Sequence, residues 1–292
     1  MNIITNKKIY LSIAMALMAT SVVLLFVYPL NFGIDFTGGA LAEVAVAEGV
    51  TRQNLEVATG AMGEVSVRAT GLDRFVIKTG PLDDEKRQEL SDTLATVGVT
   101  EILRFTSIGP TIGAELKRGG MYAVVAVAML IVLYIAFVFR KVSKPVQSWK
   151  YGVVAVVALL HDLLIPLGVF AVLGSFTGVV IDSLFITALL AILGLSVNDT
   201  IVVFDRIREN LEKKPNGDFA ITVERSVNET LMRSLNTSIT TLLVLLALFI
   251  LGPESTRYFV FALMLGLIAG TYSSLFVAAP LLVLWQERAR ER

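Results

Sequence analysis

Asp199 is the residue in this chain whose position demands a chemical role. The stretch from Ser183 to Phe204 reads SLFITALLAILGLSVNDTIVVF, and Asp199 is its single formal charge. A carboxylate at the centre of a membrane helix costs about 2.5–3.5 kcal/mol on insertion scales. Such a residue marks a proton or ion site by default. Asn198 and Thr200 flank it and supply polar company. A carboxyl group that gains or loses a proton as its surroundings change could convert a proton gradient into movement. Each charge crossing 100 mV is worth about 2.3 kcal/mol.

Other polar residues fall in apolar runs. Arg233, Asn236, Thr237 and Thr240 recur at i, i+3, i+4 and i+7, so they share one helix face. Arg233 admits two readings, an anchor at the membrane surface or a conditional ion-pair partner for Asp199. His161 and Asp162 lie near the middle of another apolar run. They can form a helix–helix hydrogen bond or take part in a proton relay, because histidine titrates in the physiological range. Asp182 stands at the outer end of its run and reads as a wet boundary residue. Ala262, Gly266, Gly270, Ser274 and Ala278 recur every four residues. A stripe of small side chains lets a neighbouring helix approach closely.

These residues need a membrane scaffold, and the composition supplies one. Of 292 residues, 55% are hydrophobic and only 17% are charged, against about 25% charged in ordinary soluble domains. Lys plus Arg and Asp plus Glu are both 25, so the net charge gives no sign of a nucleic-acid partner. The chain has no cysteine and one histidine. Disulfides, thiol chemistry and cysteine- or histidine-rich metal sites are excluded, and no cofactor is expected.

Six segments approach or exceed the length of about 20 apolar residues that a bilayer needs. They are Ile9–Leu30, Met121–Phe139, Tyr151–Gly174, Leu184–Phe204, Ser234–Leu251 and Tyr258–Trp285. The first is too long for the apolar core of a signal peptide and reads as a retained span. Lys7, Lys8, Arg140, Lys141, Lys144, Lys150, Arg206, Arg208, Lys213, Lys214 and Arg225 fall on one side, with Arg288, Arg290 and Arg292 in the tail. The positive-inside rule then places both termini in the cytoplasm. The expected organisation is residues 1–30 as terminus and first span, 31–120 as an extracytoplasmic domain, and 121–292 as a five-helix membrane bundle.

The insert alternates strand and helix signals. Ala40–Ala47 reads as a strand, and Thr51 caps a helix running to about Met62. Glu64–Ala69 and Arg74–Thr79 alternate around a turn at 70–73. Asp83 or Asp84 caps a second helix, and Val99–Thr106 closes the set. The order βαββαβ is that of ferredoxin-like α+β domains. The insert has no histidine, nucleophile elbow or phosphate loop, so a binding or lever domain is expected rather than an enzyme. Gly109–Gly120 reads as an amphipathic helix leading into the second span.

Several motifs resemble those of the SecD/SecF family, within the RND superfamily. They are NFGIDFTGGA at Asn31–Ala40, LHD at Leu160–Asp162, LSVNDTIVVFDRIREN at Leu195–Asn210, RSLNTSITT at Arg233–Thr241 and GTYSSLFVAAP at Gly270–Pro280. The resemblance covers nearly the whole chain. The single small outer domain matches the SecF type, since SecD carries a much larger outer region. It implies an RND-like half of six spans in the bacterial cytoplasmic membrane, lipid-embedded. It also implies work with SecD beside the Sec translocon, using the proton-motive force to draw secreted preproteins across. By the same resemblance Asp199 is the proton-linked aspartate and Arg233 its arginine. Asn198, Thr200, His161 and Asp162 match the relay's surroundings. Gly33, Asp35, Gly38 and Gly39 match the GIDFxGG signature. Two other readings stay open: half of a proton-coupled small-molecule exporter, and a passive scaffold.

Overall fold

Hydropathy sets the architecture. A computed structural model describes residues 2–60, 65–69, 73–139, 147–213 and 217–290. Among these, six helical stretches are long and apolar enough to cross a membrane. The contact pattern divides the chain into two units, residues 1–31 with 122–292, and residues 32–121.

The helical unit contains α1 (Lys7–Val27), the membrane part of α5 (Pro110–Val138), α6 (Ser148–Thr177), α7 (Ser183–Lys213) and α8 (Phe219–Leu251). It ends with α9 (Arg257–Ser273), a π-helical turn at Ser274–Ala278, and α10 (Ala279–Arg290). Helix α7 packs on α8 and α9, α6 packs on α7 and α9, and α1 lies against α6. The small-residue stripe explains the closest contact. A Cβ on Gly266 would meet Ile192 at 2.2 Å, and one on Gly270 would meet Ser196 at 2.9 Å. Glycine at these positions lets α9 lie directly on α7.

Two spans extend beyond the sequence-based expectation. Helix α7 continues past Phe204 to Lys213, and α8 begins at Phe219 rather than Ser234. The apolar window ends where charges start, but the helical repeat continues. Val203, Phe204, Ile207 and Leu211 stay buried, as do Phe219, Val223 and Val227 on the facing helix. These residues build a core with Phe139 and Tyr151, whose rings stack at 5.3 Å. Ile3 and Ile4 join it, and their backbone amides donate to the Glu224 carboxylate at 2.8 and 2.6 Å. Of the basic residues used for orientation, Arg140, Lys141, Lys144, Lys214 and Arg292 lie outside the described residues.

The smaller unit is a four-stranded antiparallel sheet. Its strands are β1 (Gly39–Val46), β2 (Ser66–Ala69), β3 (Arg74–Thr79) and β4 (Val99–Ile108), in the order β2-β3-β1-β4. Helices α3 (Arg52–Thr59) and α4 (Asp84–Thr96) make this the ferredoxin-like arrangement. Thr51 caps α3 in a box with Asn54, and the Asp83 carboxylate caps α4 by accepting from the Lys86 amide at 2.9 Å. Alternate residues Ala42, Val44 and Val46 of β1 bury against Leu55, Ile77, Leu90 and Leu94. Strand β2 is described from Ser66 rather than Glu64, and β4 runs two residues further, to Ile108. Residues 61–64 and 70–72, which include the end expected for α3 and most of the turn, lie outside the described residues. The amphipathic segment after β4 is the start of α5, one continuous helix from Pro110.

Candidate functional site

The GIDFTGG segment belongs to the smaller unit and is structural in character. Gly33 precedes a single helical turn, α2 (Ile34–Thr37), whose Phe36 and Thr37 amides both donate to the Gly33 carbonyl at 3.1 Å. Gly38 and Gly39 follow at φ +72° and +126°, in the region that side chains disfavour. Space forbids a side chain there too. A Cβ on Gly38 would lie 2.8 Å from Pro110 Cα, and one on Gly39 2.5 Å from the Thr79 carbonyl oxygen. The pair lets the chain entering β1 pass against β3 and the start of α5. Asp35 stands half-buried in the turn.

Asp199 lies on α7 and is buried to 8% exposure. Ser238 Oγ, on α8, donates to its Oδ2 at 3.5 Å, a long contact. Thr271 Oγ1 of α9 lies 2.7 Å behind Ser238. Arg233 stands on α8 near enough for its charge to act on Asp199. No contact ion pair joins them among the described residues, and Arg233 is exposed. Asn236, Thr237 and Thr240 on its face are exposed as well, and so is Asn198 on α7. A row of exposed polar side chains in a span is expensive against lipid and cheap against protein.

Asp162 is a different site. His161 and Asp162 on α6 are both fully buried. His161 Nδ1 lies 2.9 Å from Asp162 Oδ1. Asp162 Oδ2 accepts from Ser273 Oγ of α9 at 2.8 Å and from Ser196 Oγ of α7. Pro166, inside α6, has no amide to give the Asp162 carbonyl, which loosens the helix one turn further on. The His161 ring stacks on Tyr272 at 5.9 Å, and Tyr272 donates to the Tyr10 carbonyl of α1 at 2.9 Å. Thr200 turns toward this cluster, with its Oγ1 3.1 Å from Ser274 Oγ. The π turn begins at Ser274, and such turns recur at functional sites.

The six residues expected in the relay therefore divide. Asp199 lies buried on α7, and Arg233 stands exposed on the neighbouring α8, near enough for its charge to act on the carboxylate. Asp162, His161 and Thr200 belong to the α6–α7–α9 cluster. Asn198 lies on the exposed face. The sequence reading assigned no role to Ser196, Ser238, Thr271 or Ser273. It also left unassigned a polar clamp in the parts of α7 and α8 that lie outside the apolar runs. There Arg206 Nε donates to Glu229 at 2.6 Å, Arg225 to the same carboxylate at 2.8 Å, and Asn210 to Glu229 and Ser226 at 2.9 Å. Arg206 and Asn210 stand four apart on α7, and Arg225 and Glu229 four apart on α8. That spacing, repeated on two consecutive helices, was the available signal.

Known proteins resemble this chain over nearly its whole length. The family described as "Protein export membrane protein SecD/SecF, C-terminal" matches residues 89–288, and the SecD/SecF GG motif matches residues 23–50. The chain belongs to the SecD/SecF family. A protein translocase subunit SecF from Thermobaculum terrenum is 37% identical over 98% of this chain and 94% of its own length. The SecF subunit of Vibrio alginolyticus is 37% identical over 94% of this chain and 86% of its own. The crystal structure of SecDF from Thermus thermophilus, described as a translocon-associated membrane protein, superposes with a TM-score of 0.86 at 35% identity. That match covers 99% of this chain and 39% of the longer SecDF chain. A second SecDF structure, in a Super-membrane-facing form, gives 0.71. The GG motif of the family coincides with the Gly38–Gly39 pair, and its C-terminal region holds both buried carboxylates.

Proposed function

We propose that this chain is the SecF-type subunit of the protein export machinery and works with SecD as a proton-driven accessory to the Sec translocon. Its clients in this reading are secreted preproteins. Both termini lie in the cytoplasm, and the α+β unit lies on the far side as a lever or client-binding domain. The observation that carries the proton reading is Asp199, a nearly buried carboxylate held by one long hydrogen bond, with Arg233 near it but not in contact. A group so placed can change protonation without first breaking a saturated network. The exposed polar row of Asn198, Arg233, Asn236, Thr237 and Thr240 fits burial against the membrane half supplied by SecD. The fusion of both parts in the Thermus SecDF chain, of which this chain matches 37%, supports that partner. His161, Asp162 and Thr200 frame the relay from α6 and α7. The small-molecule exporter reading calls for large porter domains, and the smaller unit offers about 90 residues, 32 to 121.

The test is export into inverted membrane vesicles containing SecD, comparing wild type with Asp199→Asn. The variant is expected to lose proton-gradient-dependent stimulation at an unchanged protein level. Full stimulation in the variant would end the proton reading.

A further inference from the structure

Thr271 Oγ1 has two acceptors at the same distance. Ser238 Oγ of α8 and the Leu267 carbonyl oxygen, one turn back on α9, both lie 2.7 Å away. A hydroxyl has one hydrogen, so Thr271 serves one of them at a time. Ser238 is under the same restriction, since its Oγ reaches Asp199 Oδ2 at 3.5 Å on its other side. The four groups form a row across three helices: Asp199 of α7, Ser238 of α8, Thr271 of α9 and the Leu267 carbonyl.

Such a row has two consistent directions. With Asp199 ionised, Thr271 donates to Ser238 and Ser238 donates to the carboxylate. The Leu267 carbonyl then keeps only its backbone helical bond. With Asp199 protonated, the carboxyl O–H donates to Ser238, Ser238 donates to Thr271, and Thr271 donates to Leu267. One proton is gained at Asp199. The two hydroxyl hydrogens only rotate about their C–O bonds, and neither serine nor threonine loses or gains a proton.

We propose that Ser238 and Thr271 are positioning residues that read the protonation of Asp199 and pass it to α9 by reversing the direction of their hydrogen bonds. This rests on the reading of Asp199 as the proton site. The consequence for α9 is physical. A threonine hydroxyl bonded back to the carbonyl one turn earlier bends its helix slightly. Thr271 stands two residues before Ser273, which holds Asp162, and three before Ser274, where the π turn starts. A bend gained or lost at Leu267 therefore acts on the segment that also grips the second carboxylate. The long Asp199–Ser238 link is the point at which the row is made or broken. Arg233 on α8 acts on the same carboxylate. His161 and Asp162 on α6 and Tyr272 on α9 are the titratable groups of the adjoining cluster.

The experiment uses the full chain with SecD in vesicles and four variants: Thr271→Val, Thr271→Ser, Ser238→Ala and Asp199→Asn. Two readouts are taken, the pH profile of gradient-dependent export and the infrared carboxyl band that Asp199→Asn removes. Losing one hydrogen bond of about 0.5–1.5 kcal/mol corresponds to up to about one pH unit. Thr271→Val and Ser238→Ala are expected to move the midpoint by up to that amount and to displace the band. Thr271→Ser, which keeps the hydroxyl, is expected to restore both. If Thr271→Val or Ser238→Ala lowers only the protein level, with midpoint and band unmoved, the relay is overturned and Asp199 keeps its role. If Asp199→Asn itself retains stimulation, the proton reading falls and the relay falls with it.

Discussion

Asp162 and Asp199 are carried by adjacent helices of one bundle, yet they are bonded in opposite ways. Asp162 is fully buried and faces three side-chain partners, His161, Ser196 and Ser273. Asp199 is nearly as buried but, among the described residues, has one side-chain donor, Ser238, at 3.5 Å. Saturation makes a buried charge rigid, because each bond must be broken before the group can change state. A sparsely bonded carboxylate has fewer such bonds to break. The pair teaches that an intramembrane carboxylate is not a proton site by its depth alone. Depth makes it expensive, and its hydrogen-bond partners decide how tightly it is held.

This contrast can be broken by substitutions ranked by their effect on folding. Asp162→Ala should have the largest effect. It strands His161, Ser196 and Ser273 in an apolar interior, and each buried polar group left unsatisfied costs about 1–3 kcal/mol. Thermal unfolding of the purified protein, or its steady-state level, measures this directly. A variant as stable as wild type would move Asp162 out of the clamp class.

Ser273→Ala is the intermediate case. It leaves Asp162 with two side-chain partners, His161 and Ser196, and a hydrogen bond to a charged group contributes about 1.5–3 kcal/mol. The expected result is a lower unfolding temperature with gradient-dependent export preserved per folded molecule. A specific export defect in a fully stable Ser273→Ala protein would place Asp162 with the switch instead.

Asp199→Asn should have the smallest effect on folding. The amide keeps the volume and removes a costly charge held by a single long bond, so no loss of stability is expected. Unfolding as severe as that of Asp162→Ala would erase the distinction between the two carboxylates.

Much of this molecule is legible in its residues. The hydropathy contrast exposes Asp199, His161 and Asp162, because charges are conspicuous in apolar helices. Period-two alternation and the caps Thr51 and Asp83 place the βαββαβ elements to within a few residues. The GG pair is visible as a motif, but its reason is not. The close approach of Gly38 to Pro110 joins residues 72 positions apart, from 38 to 110. The helical extensions to Lys213 and back to Phe219 also escape a hydropathy window. Charged residues cover their outer faces while Val203, Ile207 and Val223 lie buried between them, beside the Asn210–Ser226 hydrogen bond. Serines are harder still. Ser196, Ser238 and Ser273 look like ordinary small packing residues until their partners are known.

The chain alone determines that two carboxylates fall in apolar runs, that six such runs are present, and that an arginine stands at the start of another of them. Only the tertiary structure decides which carboxylate is saturated. The hydrogen-bond partners of Asp162 come from residues 1, 34 and 111 positions away. The donor to Asp199 comes from 39 positions away. A charge is a property of its residue, whereas its satisfaction is a property of three helices meeting at one point. The glycines of α9 that permit that meeting show in the sequence as a stripe, but that they lie against Ile192 and Ser196 of α7 is a fact of the tertiary packing.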